Sequence, residues 1–230
     1  MAGMPFNFVY SAEEDSVQQH IYRGYELLTK GEPESAIEEF KIVIKVDSEN
    51  PDGYTGVGDS YFAMAEFKAA IEYYKKALER APNSAILYRN LGMAYSYEGD
   101  NETAVQMWKK ASKIEPRMTL LHYNIGYYYY LKEEYTKAIK EFNEEIKINP
   151  TDAPSYFYLA RSYAALNDEE NTLKNFDEYL KYETDQVRLQ ENKEKIDLIK
   201  KVLDEIKKKQ EEAKKHQAEG TKQNTGEKGK

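Results

Sequence analysis

Residues 85–118 read AILYRNLGMAYSYEGDNETAVQMWKKASKIEPRM. Apolar and aromatic side chains recur at Tyr88, Leu91 and Tyr95, then at Ala104, Trp108 and Ala111, in each run at the three- and four-residue steps of a single helical face. Between the two runs, Gly99-Asp100-Asn101 carries turn chemistry, and Pro116 cannot continue a helix. The stretch therefore predicts two helices joined by a short turn. Gly92 and Ala104 are small enough to let antiparallel helices approach closely, and Tyr95 and Trp108 fill the space beside that contact.

The same pattern recurs along the chain. Gly24, Gly58, Gly92 and Gly126 are 34 residues apart, as are Pro82, Pro116 and Pro150. With 12 glycines in 230 residues, chance would place glycine at three further points of a fixed period roughly once in ten thousand trials. Windows at 17–50, 51–84, 85–118, 119–152 and 153–186 abut without insertions. Their fourth slot reads His20, Tyr54, Tyr88, His122, Tyr156, and their eighth reads Gly24, Gly58, Gly92, Gly126, Ala160. The eleventh reads Leu27, Tyr61, Tyr95, Tyr129, Tyr163, and the twenty-fourth Phe40, Tyr74, Trp108, Phe142, Phe176. A repeat of this length, each unit a helix pair, predicts a stacked helical array.

The motif Tyr88-x2-Leu91-Gly92-x2-Tyr95, followed by Ala104, Trp108 and Pro116, resembles the tetratricopeptide repeat (TPR) family. The likeness covers the five windows, 17–186. It implies an all-α fold, a right-handed solenoid of antiparallel helix pairs closed by a C-terminal capping helix. The end windows depart from the pattern: Arg23 replaces an apolar residue, Pro33 enters a second helix, and Ala160, Thr172, Tyr179 and Thr184 replace Gly, Ala, Ala and Pro. Terminal units of an array face solvent and need not match.

Outside the windows, residues 1–16 are expected to hold an N-terminal arm with Phe6, Phe8 and Tyr10, and the start of the first helix. Ser11-Ala12-Glu13-Glu14 reads as a capping box that places that start near residue 12. From 187 onward, tyrosine vanishes. There are 13 basic and 9 acidic residues in 187–230, net +4, against −12 for the rest. Leu189, Ile196, Ile199, Val202, Leu203 and Ile206 form an apolar stripe. It predicts a capping helix over 187–212, with a short coiled coil as the alternative, and a monomer rather than a dimer. Residues 213–230 are expected to be a disordered basic tail.

Composition excludes several chemistries. Forty-one acidic against 33 basic residues, net −8, disfavour nucleic acid as a partner. There are no cysteines, and the histidines at 20, 122 and 216 are too few for a His-built metal site, so neither metal nor cofactor is expected. Gly56-Val57-Gly58 sits in a helical pattern without a preceding strand, which removes it as a dinucleotide fingerprint. No catalytic constellation is present, and the expected function is not enzymatic. No stretch is long and apolar enough to span a membrane. The first residues lack a signal-peptide pattern, so a cytoplasmic location is expected.

The resemblance implies that slots 2, 5, 9, 12 and 13 of each window line a concave groove for a protein or peptide ligand. In the first two windows they include Ile21, Tyr25, Asp52, Asp59 and Phe62, the acids suiting a basic stretch of the ligand. In the remaining three they include Arg89, Met93, Tyr97, Tyr123, Tyr127, Tyr130, Phe157 and Arg161, which are the candidate groove residues. Tyr123, Tyr127 and Tyr130 make a helical stripe separate from the one through Ile125 and Tyr129, and Tyr129 is expected in the core. A protein-interaction scaffold is the expected function, with a self-associating assembly subunit as the alternative. Family members that grip the acidic C-terminal peptide of heat-shock chaperones set Lys and Asn, then Asn, then Lys and Arg along the groove. Here Thr55 and Asp59, then Asn90, then Leu120 and Asn124 stand there, so that ligand is not expected.

Overall fold

The computed structural model describes residues 6–226, and the side chains of 16–209, 211, 212 and 214. Eleven helices and no strand occur among the described residues. They are α1 (Phe6–Thr29), α2 (Pro33–Val46), α3 (Pro51–Ala63), α4 (Phe67–Arg80), α5 (Ala85–Glu98) and α6 (Asn101–Ile114). There follow α7 (Leu121–Leu131), α8 (Tyr135–Ile148), α9 (Ala153–Ala165), α10 (Glu169–Tyr182) and α11 (Gln186–Gly226).

The repeat is written into the backbone as well as the side chains. Gly31, Ala65, Gly99, Glu133 and Asn167, each 34 residues after the last, all adopt a left-handed conformation with φ between 59° and 94°. The next amide then bonds back across the helix end: Glu32 to Leu27, Glu66 to Tyr61, Asp100 to Tyr95, Glu134 to Tyr129 and Asp168 to Tyr163, at 2.9–3.0 Å. This closure ends one helix and turns the chain into the next. Only the two glycines adopt it free of the Cβ clash, which costs other residues about 1–2 kcal/mol. Several helices open on side-chain caps. Asn50, Ser84, Asp100, Asp152 and Asp168 each accept a backbone N–H of the first turn.

The chain divides into two compact units between Tyr128 and Tyr129. In the first, α2 packs on both α1 and α3, and α4 on both α3 and α5. Phe40 of α2 is wholly buried, with its ring against Gly24 of α1 and Gly56 of α3. A Cβ at those positions would lie 2.5 Å and 2.2 Å from ring atoms. Tyr74 meets Gly58 and Trp108 meets Gly92 in the same way. Gly24, Gly58 and Gly92, the glycines of slot 8, therefore each admit the slot-24 aromatic ring of the next helix, while Gly56 admits Phe40 from the preceding one. The first helix departs from the expected register. Arg23 is exposed and Ile21 is buried with Val17 and Val43, so Ile21 is not a groove residue. Its slot faces the core here because Arg23 cannot.

In the second unit, Phe142 is buried, and Ala153, Ala160, Phe176, Tyr179 and Ile196 form a core in which α11 meets α9 and α10. Asn192 Nδ2 donates to the Tyr179 hydroxyl at 2.8 Å, and Lys200 pairs with Asp177 at 2.5 Å. Of the expected capping stripe, Ile196 is buried, Leu189 and Leu203 are half-buried, and Ile199, Val202 and Ile206 are exposed.

Both ends differ from the sequence reading. Helix α1 begins at Phe6, which puts Ser11-Ala12-Glu13-Glu14 inside it. A capping signature marks a place where a helix can start, and residues 6–10 contain no Gly or Pro to force a break there. The side chains of Phe6, Phe8 and Tyr10 and all of residues 1–5 lie outside the described residues, as does the arm expected there. Helix α11 runs on past 212 to Gly226, where a disordered tail was expected. Its Lys, Glu, Gln and Ala residues are strong helix formers, and helix continuation there requires no burial. Residues 227–230 lie outside the described residues.

Candidate functional site

In the first unit, the groove slots of α3 and α5 meet around a half-buried carboxylate. Asp59 of α3 accepts the Tyr74 hydroxyl at 2.7 Å, Asn90 Nδ2 at 3.2 Å and the Tyr25 hydroxyl at 3.3 Å. Four helices are thereby tied to one side chain: α1 through Tyr25, α3, α4 through Tyr74 and α5 through Asn90. Burial pushes the Asp59 carboxyl above its usual range, against the lowering effect of the Tyr74 and Tyr25 hydrogen bonds and of nearby Arg89. Burial and the Asp59 charge push both phenols up, so they remain protonated donors. Asn90 turns its amide oxygen to Arg89, which donates Nε and one terminal nitrogen at 3.3 Å.

This network corrects one expectation. Asp59 was placed as a free acid for a basic ligand, but three donors already occupy it, while Asp52 is exposed. The signal was present in the repeat. Tyr25 and Asp59 share a slot one window apart, and equal slots of successive units are neighbours. Asp59→Ala leaves three donors without their acceptor, and a loss of about 2–3 kcal/mol in stability is expected from denaturant unfolding. Asp59→Asn tests the electrostatics. A carboxyl whose pKa is raised on folding stabilises fully below its unfolded pKa and loses that contribution as pH rises through the folded one. Wild type should therefore lose ground against the non-titrating Asn variant as pH rises from below the ordinary carboxylate range through the raised folded value.

Beside the network, a cavity of 360 Å³ is lined by Asp59, Phe62, Tyr74, Arg89, Asn90 and Met93. Asn124 Nδ2 approaches the Met93 sulfur at 3.8 Å. Phe62 continues the apolar wall outward. Its ring meets Phe67 at 5.3 Å and Tyr97 at 5.4 Å, and those two stack at 5.0 Å. Tyr97 is 61% exposed. Sequence reasoning placed Tyr97 with the tyrosines of the next window. The structure groups it instead with Phe62 and with Phe67, which lay outside the candidate set. Tyr123 and Tyr127 lie parallel at 6.3 Å, with Tyr127 exposed.

In the second unit, Arg161 lies over the rings of Tyr130 and Phe157, at 5.4 Å and 5.6 Å from their centroids. Tyr130 also meets Tyr135 and Tyr158 edge-on. Phe157 is half-buried against Phe176 and Tyr179, and so contributes to the core as well as to the surface. Tyr129 is half-buried with Lys137 over its ring, and does not occupy the fully buried position expected of it. Its lysine neighbour covers the outer ring face from the next helix.

No group of three or more metal-ligating side chains occurs among the described residues. No helix among them is long and apolar enough to cross a membrane.

Tetratricopeptide repeat models match residues 52–115 and 119–152. The chain belongs to the tetratricopeptide repeat family. Solved structures agree on the fold. A MamA protein is 24% identical over 76% of this chain and 96% of its own, with a TM-score of 0.65. YrrB is 19% identical over 84% of this chain and 100% of its own, with a TM-score of 0.63. The pilF protein of Pseudomonas aeruginosa is 18% identical over 77% and 81%, with a TM-score of 0.69. No curated protein matches the sequence. As a TPR protein, the chain is in general terms a scaffold for protein–protein interaction.

Proposed function

We propose that this protein holds an extended segment of another protein against the groove slots of its odd-numbered helices. The ligand carries apolar side chains and one or two carboxylates. The array consists of five repeats, 17–50 through 153–186, with α11 closing its end. One observation supports this reading above the others: the cavity beside Arg89. Asp59 is already held by three donors, and Arg89 uses two of its donors on Asn90. A guanidinium has five. The unspent ones suit a carboxylate, while Phe62 and Met93 suit the apolar part of the same residue. YrrB, described as a TPR protein with an unusual peptide-binding site, shares the fold. In the second unit Arg161, Tyr130 and Phe157 offer the same combination of cation and aromatic ring.

The test is selection from a displayed library of random peptides on the full-length protein. Enriched sequences should place Asp or Glu next to an aromatic or aliphatic residue. Arg89→Glu should then weaken a selected peptide by about 2 kcal/mol or more, because it replaces attraction by repulsion in a partly buried site. The variant sets a second carboxylate near Asp59 and should melt lower, so affinity is compared at a temperature where both proteins remain folded. Selection of basic peptides, or binding indifferent to Arg89, would overturn the reading. A second reading, self-association through α11, is favoured by the exposed apolar residues of that helix.

A further inference from the structure

Helix α11 buries only one face. Ile196, Asn192 and Lys200 turn toward α10, through the Phe176–Tyr179 core, the Tyr179 hydroxyl and Asp177. On the far side, Arg188, Glu191, Lys195, Leu198, Val202, Glu205, Lys209 and Glu212 follow one another at alternating steps of three and four, and all are exposed. That is the spacing of a coiled-coil seam. Leu198 and Val202 at its centre are 62% and 45% exposed, with Ile199 and Ile206 exposed along one flank.

The charges along this seam are self-complementary in one direction only. Turned end over end about residue 200, the seam meets its own copy with Lys195 opposite Glu205, Glu191 opposite Lys209, Arg188 opposite Glu212 and Leu198 opposite Val202. Every charged position faces its opposite, and each pair occurs twice by symmetry. A parallel in-register pairing would set each charge against itself. Among the described residues Glu191, Lys195, Glu205 and Lys209 have no ion-pair partner within the chain, and Arg188 bonds to Asp185 at 3.0 Å. An isologous pair buries the same patch on both copies, as a two-fold dimer requires. It also covers Leu198 and Val202, which α10 leaves bare.

We propose that a second copy of this chain docks on that face, and that the protein forms an antiparallel two-fold dimer through α11. The proposal reverses the monomer expected from sequence, because the structure gives α11 two separate faces, one for the cap and one free. It deepens the self-association reading and does not depend on a groove ligand.

Sedimentation equilibrium on the full-length protein should show a reversible monomer–dimer equilibrium at concentrations up to about 500 µM, as a short polar seam supports only weak association. Lys195→Glu sets like charges together twice and should weaken the dimer about tenfold. Adding Glu205→Lys to the same chain restores every pairing and should restore the affinity. Direction is read from a spin label on Glu212→Cys, in a chain that has no other cysteine. The antiparallel pair puts the two labelled backbones about 36 Å apart, from 24 residues at the helical rise, whereas a parallel pair would put them about 10 Å apart. A monomer throughout the range, a dimer indifferent to Lys195→Glu, failure of the double exchange to restore it, or the short distance would each overturn the proposal. None of these measurements involves a ligand, so their failure leaves the Arg89 reading standing.

Discussion

Gly92→Val is expected to destabilise the first unit by about 3 kcal/mol or more, near the upper end of overpacking costs. A Cβ at Gly92 would lie 2.3 Å from Trp108 Nε1 and 2.4 Å from Cδ1, closer than real Cβ atoms come. Neither neighbour can give way easily. The indole is rigid and only 4% exposed, and Gly92 lies mid-way along α5. The approach is tight enough that Trp108 Nε1 is buried without a hydrogen-bond partner, a cost that the packing around it must outweigh. Helix propensity argues the other way, since most residues outperform glycine in a helix by up to about 1 kcal/mol. The clash exceeds that gain. Gly99→Ala serves as the contrast: the site is open, and only its left-handed backbone, φ +94°, resists a side chain. That change should cost about 1–2 kcal/mol. Denaturant melts of the two variants check the ordering. A Gly92→Val protein as stable as Gly99→Ala would show that the α5–α6 contact is not built on the missing side chain.

The helix pairs could be read from the sequence because the residues that decide them act locally and recur. Gly92 and Trp108 are informative as a pair only through their spacing, and the same spacing returns at Gly58 and Tyr74. Proline and the turn residues mark where each helix stops. The turn at slot 15 was less legible. Gly31, Gly99 and Asn167 signal a left-handed residue, but Ala65 and Glu133 adopt the same conformation where only the repeat imposes it. The site was legible as a set of slots and not as a set of contacts. Arg89 and Met93 do come together, as do Arg161, Tyr130 and Phe157. Asp59 was misread because a carboxylate in a groove slot looks available until its donors are known, and they come from three other helices. Tyr97 was placed by the groove slot that the family resemblance gives it, and its ring neighbours come from α3 and the start of α4. The ends were the least legible. Helix formation by Lys-, Glu- and Gln-rich sequence needs no apolar pattern, so periodicity could not show how far α11 extends.

Truncation after residue 186 is the second change with a large expected effect. It removes Ile196, which is 1% exposed in the core formed with Ala153, Ala160, Phe176 and Tyr179. It also removes Asn192, the donor to the Tyr179 hydroxyl, and Lys200, the partner of Asp177. Burying an aliphatic side chain of this size contributes about 2–3 kcal/mol, and the loss bares the aromatic rings it covered. Phe176 and Tyr179 would then lie on an open helix face, the kind of contiguous apolar surface that drives association. The shortened protein should melt at least about 5 °C lower and precipitate on concentration. Truncation after residue 212 keeps every described contact between α11 and α10, and should leave the melting temperature unchanged. An intermediate variant separates helix length from burial. Ile196→Ala in the full-length chain leaves α11 in place and should by itself cost about 2–4 kcal/mol, against the 2–5 typical of buried large-to-small changes. If the 186 truncation and the full-length protein melt together, α11 does not stabilise the second unit, and Ile196 is not the anchor that its burial makes it.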